Sequence, residues 1–140
     1  MTIKFSVLGE PRGKGRPRFG RTKNGGVRTW TPRKTADYEN LIRWEYHRQC
    51  KGLRFNDSDM LIMSVAAYFG IPKNASKRKQ EAMTAGDIMP LRKPDVDNIL
   101  KVVADSLNGI AYRDDSQIVS VTVRKRYCTM PRIEVGIWRV

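Results

Sequence analysis

Histidine and cysteine are scarce in this chain of 140 residues. One histidine, His47, and two cysteines, Cys50 and Cys128, are too few for a zinc site of the usual Cys/His kind. They also argue against catalysis that depends on histidine. We expect the cysteines to be reduced structural thiols and His47 to lie on the surface or in ordinary packing.

Long apolar runs are also missing. Hydrophobic residues make up 40% of the chain, yet no stretch approaches the roughly 18 apolar residues of a membrane span. The first residues start a strand-like pattern, with no apolar signal region. We therefore expect a cytoplasmic protein without a membrane partner, folded as a single domain over residues 1–140.

Acidic residues are few relative to basic ones. The chain has 27 Lys and Arg against 14 Asp and Glu, which gives a net charge of +13. Such a field attracts polyanions, and the candidates are DNA, RNA and an anionic membrane surface. No amphipathic helix with a basic polar face supports the membrane, so nucleic acid is the expected partner.

The most basic stretch lies between Pro11 and Ala36 and contains no acid. Its glycines and prolines exclude a regular helix, which predicts a mobile arm or loop. Phe19 and Trp30 could stack on exposed bases or attach the loop to the body. The alternative is a solvated, disordered segment. We expect phosphate binding, because arginine can donate two hydrogen bonds at once. The residues chosen for it are Lys14, Arg16 and Arg18.

A second basic patch is expected at the start of a short helix predicted over residues 74–84. Cations at a helix N-terminus oppose the helix dipole, and nearby phosphates would relieve that conflict. Lys77 and Arg78 are therefore candidate DNA contacts.

The acidic residues gather in one segment of this basic chain. Five aspartates lie between residues 95 and 115, with only Lys101 and Arg113 as cations. Crowded carboxylates repel one another, and a divalent metal would resolve the conflict; capping and turn aspartates on a solvated surface are the alternative. In an extended segment after Pro94, the side chains of Asp95 and Asp97 would face the same way.

The residues that follow predict a helix over about 97–108. Asp97 or Asn98 suits the N-cap, apolar residues recur at helical spacing, and Asn108-Gly109 ends the run. Asp97, Lys101 and Asp105 then stack at intervals of four, which places a cation one turn behind the acidic pair. An ordinary surface ion pair is the alternative for Lys101.

The other apolar patterns predict strands over residues 3–8, 60–69 and 118–126 and around 133–137, and a helix over 35–51 capped by Thr35. The strand at 60–69 should be central and buried on both faces. The last two strands should form an antiparallel hairpin through residues 129–131. The fold class is α+β, with a small mixed or antiparallel sheet of about four strands and helices packed mainly on one face.

The patterns D-x-D-N-x-x-K, D-x-L-N-G and D-D-S-Q in residues 95–117 resemble the signature of the RusA family of Holliday junction resolvases. A weaker likeness at G-K-G-R-P-R extends the resemblance over most of the chain. It implies a homodimeric, Mg²⁺-dependent endodeoxyribonuclease that nicks four-way DNA junctions, with Mn²⁺ as a substitute and no small-molecule cofactor. Short basic resolvases of this kind are often phage-borne, so a bacterial or phage-encoded protein is expected.

By motif position, the resemblance implies that Asp95, Asp97 and Asp115 are catalytic carboxylates that bind the metal, and that Lys101 is an essential lysine. Asp114 would then support the metal ligands without binding the metal, or would shape the turn. Asp105 would serve helix packing or orientation. Three other functions compete: a non-catalytic nucleic-acid-binding module, a D-x-D phosphatase or phosphotransferase, and a nonspecific or flap nuclease.

Overall fold

The computed structural model describes Met1–Val140 and contains six strands and three α-helices. In chain order they are β1 (Thr2–Leu8), β2 (Arg18–Arg21), β3 (Val27–Trp30), α1 (Arg33–Cys50), β4 (Leu61–Gly70), α2 (Lys77–Ala85), α3 (Val96–Ser106), β5 (Ile118–Cys128) and β6 (Arg132–Arg139), with a short 3₁₀ helix over Asp115–Gln117 before β5. The α+β class and the four-stranded mixed sheet are confirmed.

The main sheet has the order β1-β6-β4-β5. β6 pairs antiparallel with both β1 and β4, while β5 pairs parallel with β4. The predicted β5–β6 hairpin is therefore wrong. β4 lies between the two strands, and the short link at residues 129–131 passes the end of β4, where Pro131 lies beside Gly70. Alternation identifies the strands, but it does not identify their neighbours.

One face of the sheet carries the core. On β4 every second residue is buried and the residues between them are half-buried, so the strand is central, as predicted, but fully buried on one face only. Helices α1 and α3 cover this buried face and contact each other. The principal core side chains are Phe5, Ile42, Tyr46, Met63, Val65, Ile99, Val103, Tyr112, Val135 and Ile137.

Two predicted helix starts were late. α1 begins at Arg33, so Thr35 is not its cap; the Thr35 hydroxyl instead accepts a hydrogen bond from the Gly15 amide at 2.9 Å. α3 begins at Val96, with Asp95 in the extended N-cap conformation. It ends before Gly109, whose positive φ of 73° takes the chain out of the helix direction.

The basic segment before α1 is not an unstructured loop. β2 and β3 form a separate antiparallel hairpin, with Arg18 opposite Trp30 and Arg21 opposite Val27. Its turn closes through the Thr22 amide, which donates to the Gly26 carbonyl at 2.8 Å, and through Gly25 at a positive φ of 80°. The glycines that exclude a helix here also suit a hairpin turn, so the prediction of a loop was wrong for residues 18–30.

The scarce residues lie where the sequence suggests. Cys50 is buried and Cys128 is half-buried, and both are free. His47 is exposed on α1. No helix of the chain combines the length and the apolar character that crossing a membrane requires.

Candidate active site and nucleic-acid interface

The first turn of α3 holds two of the predicted carboxylates. Asp95 is the N-cap residue, but its side chain does not cap the helix; it accepts a hydrogen bond from Asn98 Nδ2 at 2.8 Å. Asp97 lies inside the first turn, where the helix dipole favours an acid. The two therefore do not alternate along an extended strand, and that argument for a shared direction was wrong.

The third predicted carboxylate, Asp115, sits in a turn that its neighbours build. Asp114 caps the 3₁₀ helix, since its Oδ2 accepts from the Ser116 amide at 3.1 Å and Gln117 Oε1 accepts from the Asp114 amide at 3.3 Å. These bonds to Ser116 lower the pKa of the Asp114 carboxyl below its ordinary value. The backbone amide of Asp115 donates to Asn108 Oδ1 at 2.8 Å, which leaves its carboxylate free.

A depression of about 300 Å³ brings residues from α3 and the start of β5 together. Its polar members are Asp97, Lys101, Asp105 and Asp115, and its apolar members are Leu100, Ala104, Ile118 and Val121. Asp95 is not part of the lining. The structure therefore places three of the four residues that the resemblance singled out around one concavity, and adds Asp105 to them.

Asp105 connects the site lysine to the basic segment. Its Oδ2 lies 3.5 Å from Lys101 Nζ and 3.4 Å from Lys14 Nζ. The Lys101 side chain is 62% exposed, whereas that of Asp105 is 23% exposed. The Lys101 ammonium group is thus paired with a half-buried acid, while most of the Lys101 side chain stays exposed to solvent.

Lys14 is docked rather than free. It donates to Glu39 Oε1 at 2.9 Å, and Glu39 also lies 3.7 Å from Arg43 on the next turn of α1. Burial lowers the pKa of Lys14, but the hydrogen bond and charge of Glu39, joined by the charge of Asp105, outweigh it and raise the pKa above its ordinary value. Lys14 was expected to contact DNA phosphate, and its side chain is instead committed to two carboxylates.

The backbone around Lys14 is equally fixed. The Lys14 amide donates to the Asn98 carbonyl at 3.2 Å. A Cβ atom at Gly13 would lie 2.9 Å from the Cβ of Pro94 and 3.0 Å from that of Asn98, so only glycine permits this approach. The basic segment is therefore anchored on the residues that open α3.

The buried side chain of Tyr112 connects α3 to the segment that leads into the turn of Asp114 and Asp115. Its hydroxyl is buried and donates to the Ala104 carbonyl at 2.7 Å. Burial raises its pKa, and the charges of Asp115 and Asp105 raise it further. Tyr112 therefore stays a neutral donor that holds the end of α3 against the turn.

The donor set fits a hard divalent cation in its chemistry. Asp97 and Asp115 offer carboxylate oxygens, which suit Mg²⁺ or Mn²⁺ and suit zinc poorly. No three acidic, histidine or cysteine side chains lie close enough together to hold a metal ion. Asp105 is already paired with two lysines. Asp97 reaches the depression from α3, and Asp115 reaches it from the 3₁₀ helix before β5.

Four of the predicted DNA contacts are exposed cations. Arg16 lies just before β2 and Arg18 is its first residue. Lys77 and Arg78 begin α2. Ser76 caps α2 by accepting from the Lys79 amide at 3.3 Å, so the helix start does not depend on a bound anion. None of these four residues takes part in an ion pair.

Sequence reasoning placed Asp105 one turn after Lys101, because residues four apart are neighbours on a helix, but it missed the role of Lys14. No pattern could pair Lys14 with Glu39 and Asp105, since the contact joins three segments that are distant along the chain.

Comparison with known proteins identifies a family and a relative. The family model described as Endodeoxyribonuclease RusA matches residues 9–138, which include the β2–β3 hairpin, α3 and the turn that carries Asp114 and Asp115. An uncharacterized protein of Bacillus subtilis strain 168, YqaN, is 39% identical over 142 residues, and the alignment covers 99% of this chain and 96% of YqaN.

Proposed function

Because this chain belongs to the RusA endodeoxyribonuclease family, we propose that it is a divalent-metal-dependent endonuclease that resolves four-way DNA junctions by paired, symmetric nicks in DNA recombination and repair. It works as a single nuclease domain over residues 1–140. The observation that carries the proposal is the depression that joins Asp97, Asp115 and Lys101 on the surface of a strongly basic protein. A binding module without catalysis gives no reason to place acids there.

Asp97 and Asp115 would hold the cation, with Asp95 joining them from the N-cap of α3. When bound, Mg²⁺ or Mn²⁺ lowers the pKa of a water molecule and stabilises negative charge on the phosphate. The Asp95 carboxylate is oriented by Asn98, and the Asp115 backbone is held by Asn108. The bond from Asn98 is made to the Asp95 carboxylate itself, whereas the bond to Asn108 holds only the backbone of Asp115 and leaves its carboxylate able to turn toward a cation.

Lys101 would neutralise charge that develops on the scissile phosphate. The exposed Lys101 side chain can reach a phosphate outside the protein, while its ion pair with Asp105 holds it on the side of α3 that lines the depression. Asp105 therefore positions Lys101 and does not need to touch the substrate.

A homodimer would match the near-twofold symmetry of a four-way junction and present one site to each of two strands. β5 is an edge strand of the main sheet, with one side unpaired. Two of its residues, Val119 and Val121, are exposed. An open, apolar edge strand is a surface that a second copy can cover. Sedimentation of wild type and Val121→Lys tests this: a monomeric wild type contradicts the dimer.

The proposed activity is tested on a synthetic mobile four-way junction, a linear duplex and a flap, each with Mg²⁺ or with EDTA. We expect paired, metal-dependent nicks on the junction alone. Asp97→Asn should reduce cleavage by about 100-fold or more and still bind the junction. Thr84→Ala, on the far helix α2, is the matched control and should cleave as wild type does.

The other outcomes separate the competing functions. Binding without cleavage under any divalent metal contradicts the nuclease and leaves a nucleic-acid-binding module. Equal cleavage of all three substrates retains the site and contradicts the junction specificity. Mn²⁺ binding, measured by relaxation of water protons, gives a second readout, which the double variant Asp97→Asn/Asp115→Asn should abolish.

A further inference from the structure

The β2–β3 hairpin exposes apolar surface that the protein itself does not use. Phe19 is 70% exposed, Val27 is 72% exposed and Trp30 is 41% exposed, and the two strands pair only with each other. An isolated two-stranded hairpin is marginal in water, and exposed aromatic residues on such an element indicate a binding surface. The possibility that Phe19 and Trp30 attach the loop to the body is therefore disfavoured.

The two faces of the hairpin differ. Opposed residues share a face, so the register places Arg18, Gly20, Arg28 and Trp30 on one side. Ring atoms of Trp30 lie 3.1 and 3.2 Å from the position of a Cβ at Gly20. The indole therefore lies against the bare backbone of Gly20, and Trp30 remains 41% exposed.

The charge around the indole selects its partner. Residues 16–34 contain seven Lys and Arg and no acid, and only Arg33 among them forms an ion pair. The Arg28 guanidinium carbon lies 5.7 Å from the centroid of the Trp30 ring. An aromatic face with cations beside it fits a nucleobase attached to phosphate, because the base stacks on the ring and the cations meet the backbone.

The hairpin also lies near the site. Lys14 forms an ion pair with Asp105, and the four residue-to-residue steps from Lys14 to Arg18 span at most about 14 Å. Trp30 is paired with Arg18. A base on Trp30 is then within a few nucleotides of a phosphate held at the depression.

We infer that the β2–β3 hairpin is a base-stacking element: Trp30, over Gly20 and flanked by Arg18 and Arg28, takes an unstacked base of DNA at a branch point. The inference rests on the proposed function for the identity of the DNA. It supplies a reason for branch preference that the phosphate contacts lack, since paired bases inside a duplex offer no free face and bases at a branch point do.

The test places 2-aminopurine either at the branch point of a four-way junction or inside a paired arm, with EDTA present to prevent cleavage. Wild type should change the fluorescence of the branch-point probe alone. Trp30→Val, which retains a strand-forming residue, should abolish that change and weaken binding of the junction by about 10-fold to 100-fold, with duplex binding unchanged. Trp30→Phe keeps an aromatic face and should restore most of both.

Trp44→Leu is the matched control, because Trp44 is 61% exposed on α1 and carries Arg48 against its ring. It should behave as wild type. Junction binding that Trp30→Val leaves intact, or a loss that is equal on duplex, overturns the inference. Specific nicking that survives such a result leaves the proposed function standing. A Trp30-dependent signal in a protein that never cleaves supports the hairpin and contradicts the nuclease.

Discussion

The ammonium group of Lys14 lies 3.4 Å from the Asp105 carboxylate, which ties the basic N-terminal segment to the helix that carries the acidic site. Glu39 completes the contact from α1. Three segments that are distant in sequence therefore meet at one cation. The basic segment that was expected to be mobile is fixed at Lys14, and the β2–β3 hairpin follows it directly along the chain.

Replacing Lys14 should destabilise the fold. Lys14→Met leaves the buried Glu39 without its closest cation, and we expect a loss of about 1–3 kcal/mol in the free energy of unfolding and a Tm lower by several degrees. Thermal unfolding followed by circular dichroism measures it. Lys23→Met removes the same charge from the exposed hairpin turn and should leave Tm unchanged; equal effects of the two would contradict the network.

The same network predicts a dependence on alkaline pH. The folded-state pKa of Lys14 is raised above its ordinary value of 10.5 by Glu39 and Asp105. Its contribution to stability is therefore fully present below that ordinary value and is lost as pH rises through the folded-state value. Urea unfolding of wild type and Lys14→Met should give a difference that is constant from pH 7 to about pH 9 and shrinks above pH 10.5. A difference that grows at high pH would exclude this origin.

The two neighbouring aspartates of the acidic turn should separate by function. Asp114→Ala removes the cap of the 3₁₀ helix and should lower the free energy of unfolding, because the Ser116 amide loses its acceptor. Asp115→Ala removes a carboxylate that has no partner in the chain, so stability should hold while cleavage falls. Chemical unfolding and the junction assay, run on both variants, distinguish them. The reverse pattern would assign the metal-binding role to Asp114.

The two cysteines should differ in reactivity. Hydrogen bonds from the Met130 backbone and the Arg132 side chain lower the pKa of the Cys128 thiol, and burial raises that of Cys50. The thiolate is the reactive form, so iodoacetamide at neutral pH should label Cys128 first, and Cys50 only after unfolding. Peptide mass spectrometry reads the order. Arg132→Met should slow labelling at Cys128.

The patterns in the sequence predicted the helix of the candidate site well and the contacts around it poorly. The helix that carries Asp97, Lys101 and Asp105 follows from spacing alone, because helical periodicity is a local property. The start of that helix was misplaced, since the choice among Asp95, Asp97 and Asn98 as the cap depends on how the chain enters after Pro94. In the D-D-S-Q motif the resemblance assigned Asp115 to the metal and a supporting or turn role to Asp114; the capping by Asp114 and Gln117 became visible only in the turn geometry.

Local chemistry thus determined the class of fold, the strands of the main sheet, the basic character and the group of acids, because each depends on residues near one another along the chain. The tertiary structure alone decided that β6 lies between β1 and β4, that Lys14 serves Glu39 and Asp105, and that Phe19 and Trp30 remain exposed. Those outcomes depend on contacts between distant segments, where burial and charge pairing select one arrangement among several that the local patterns permit equally.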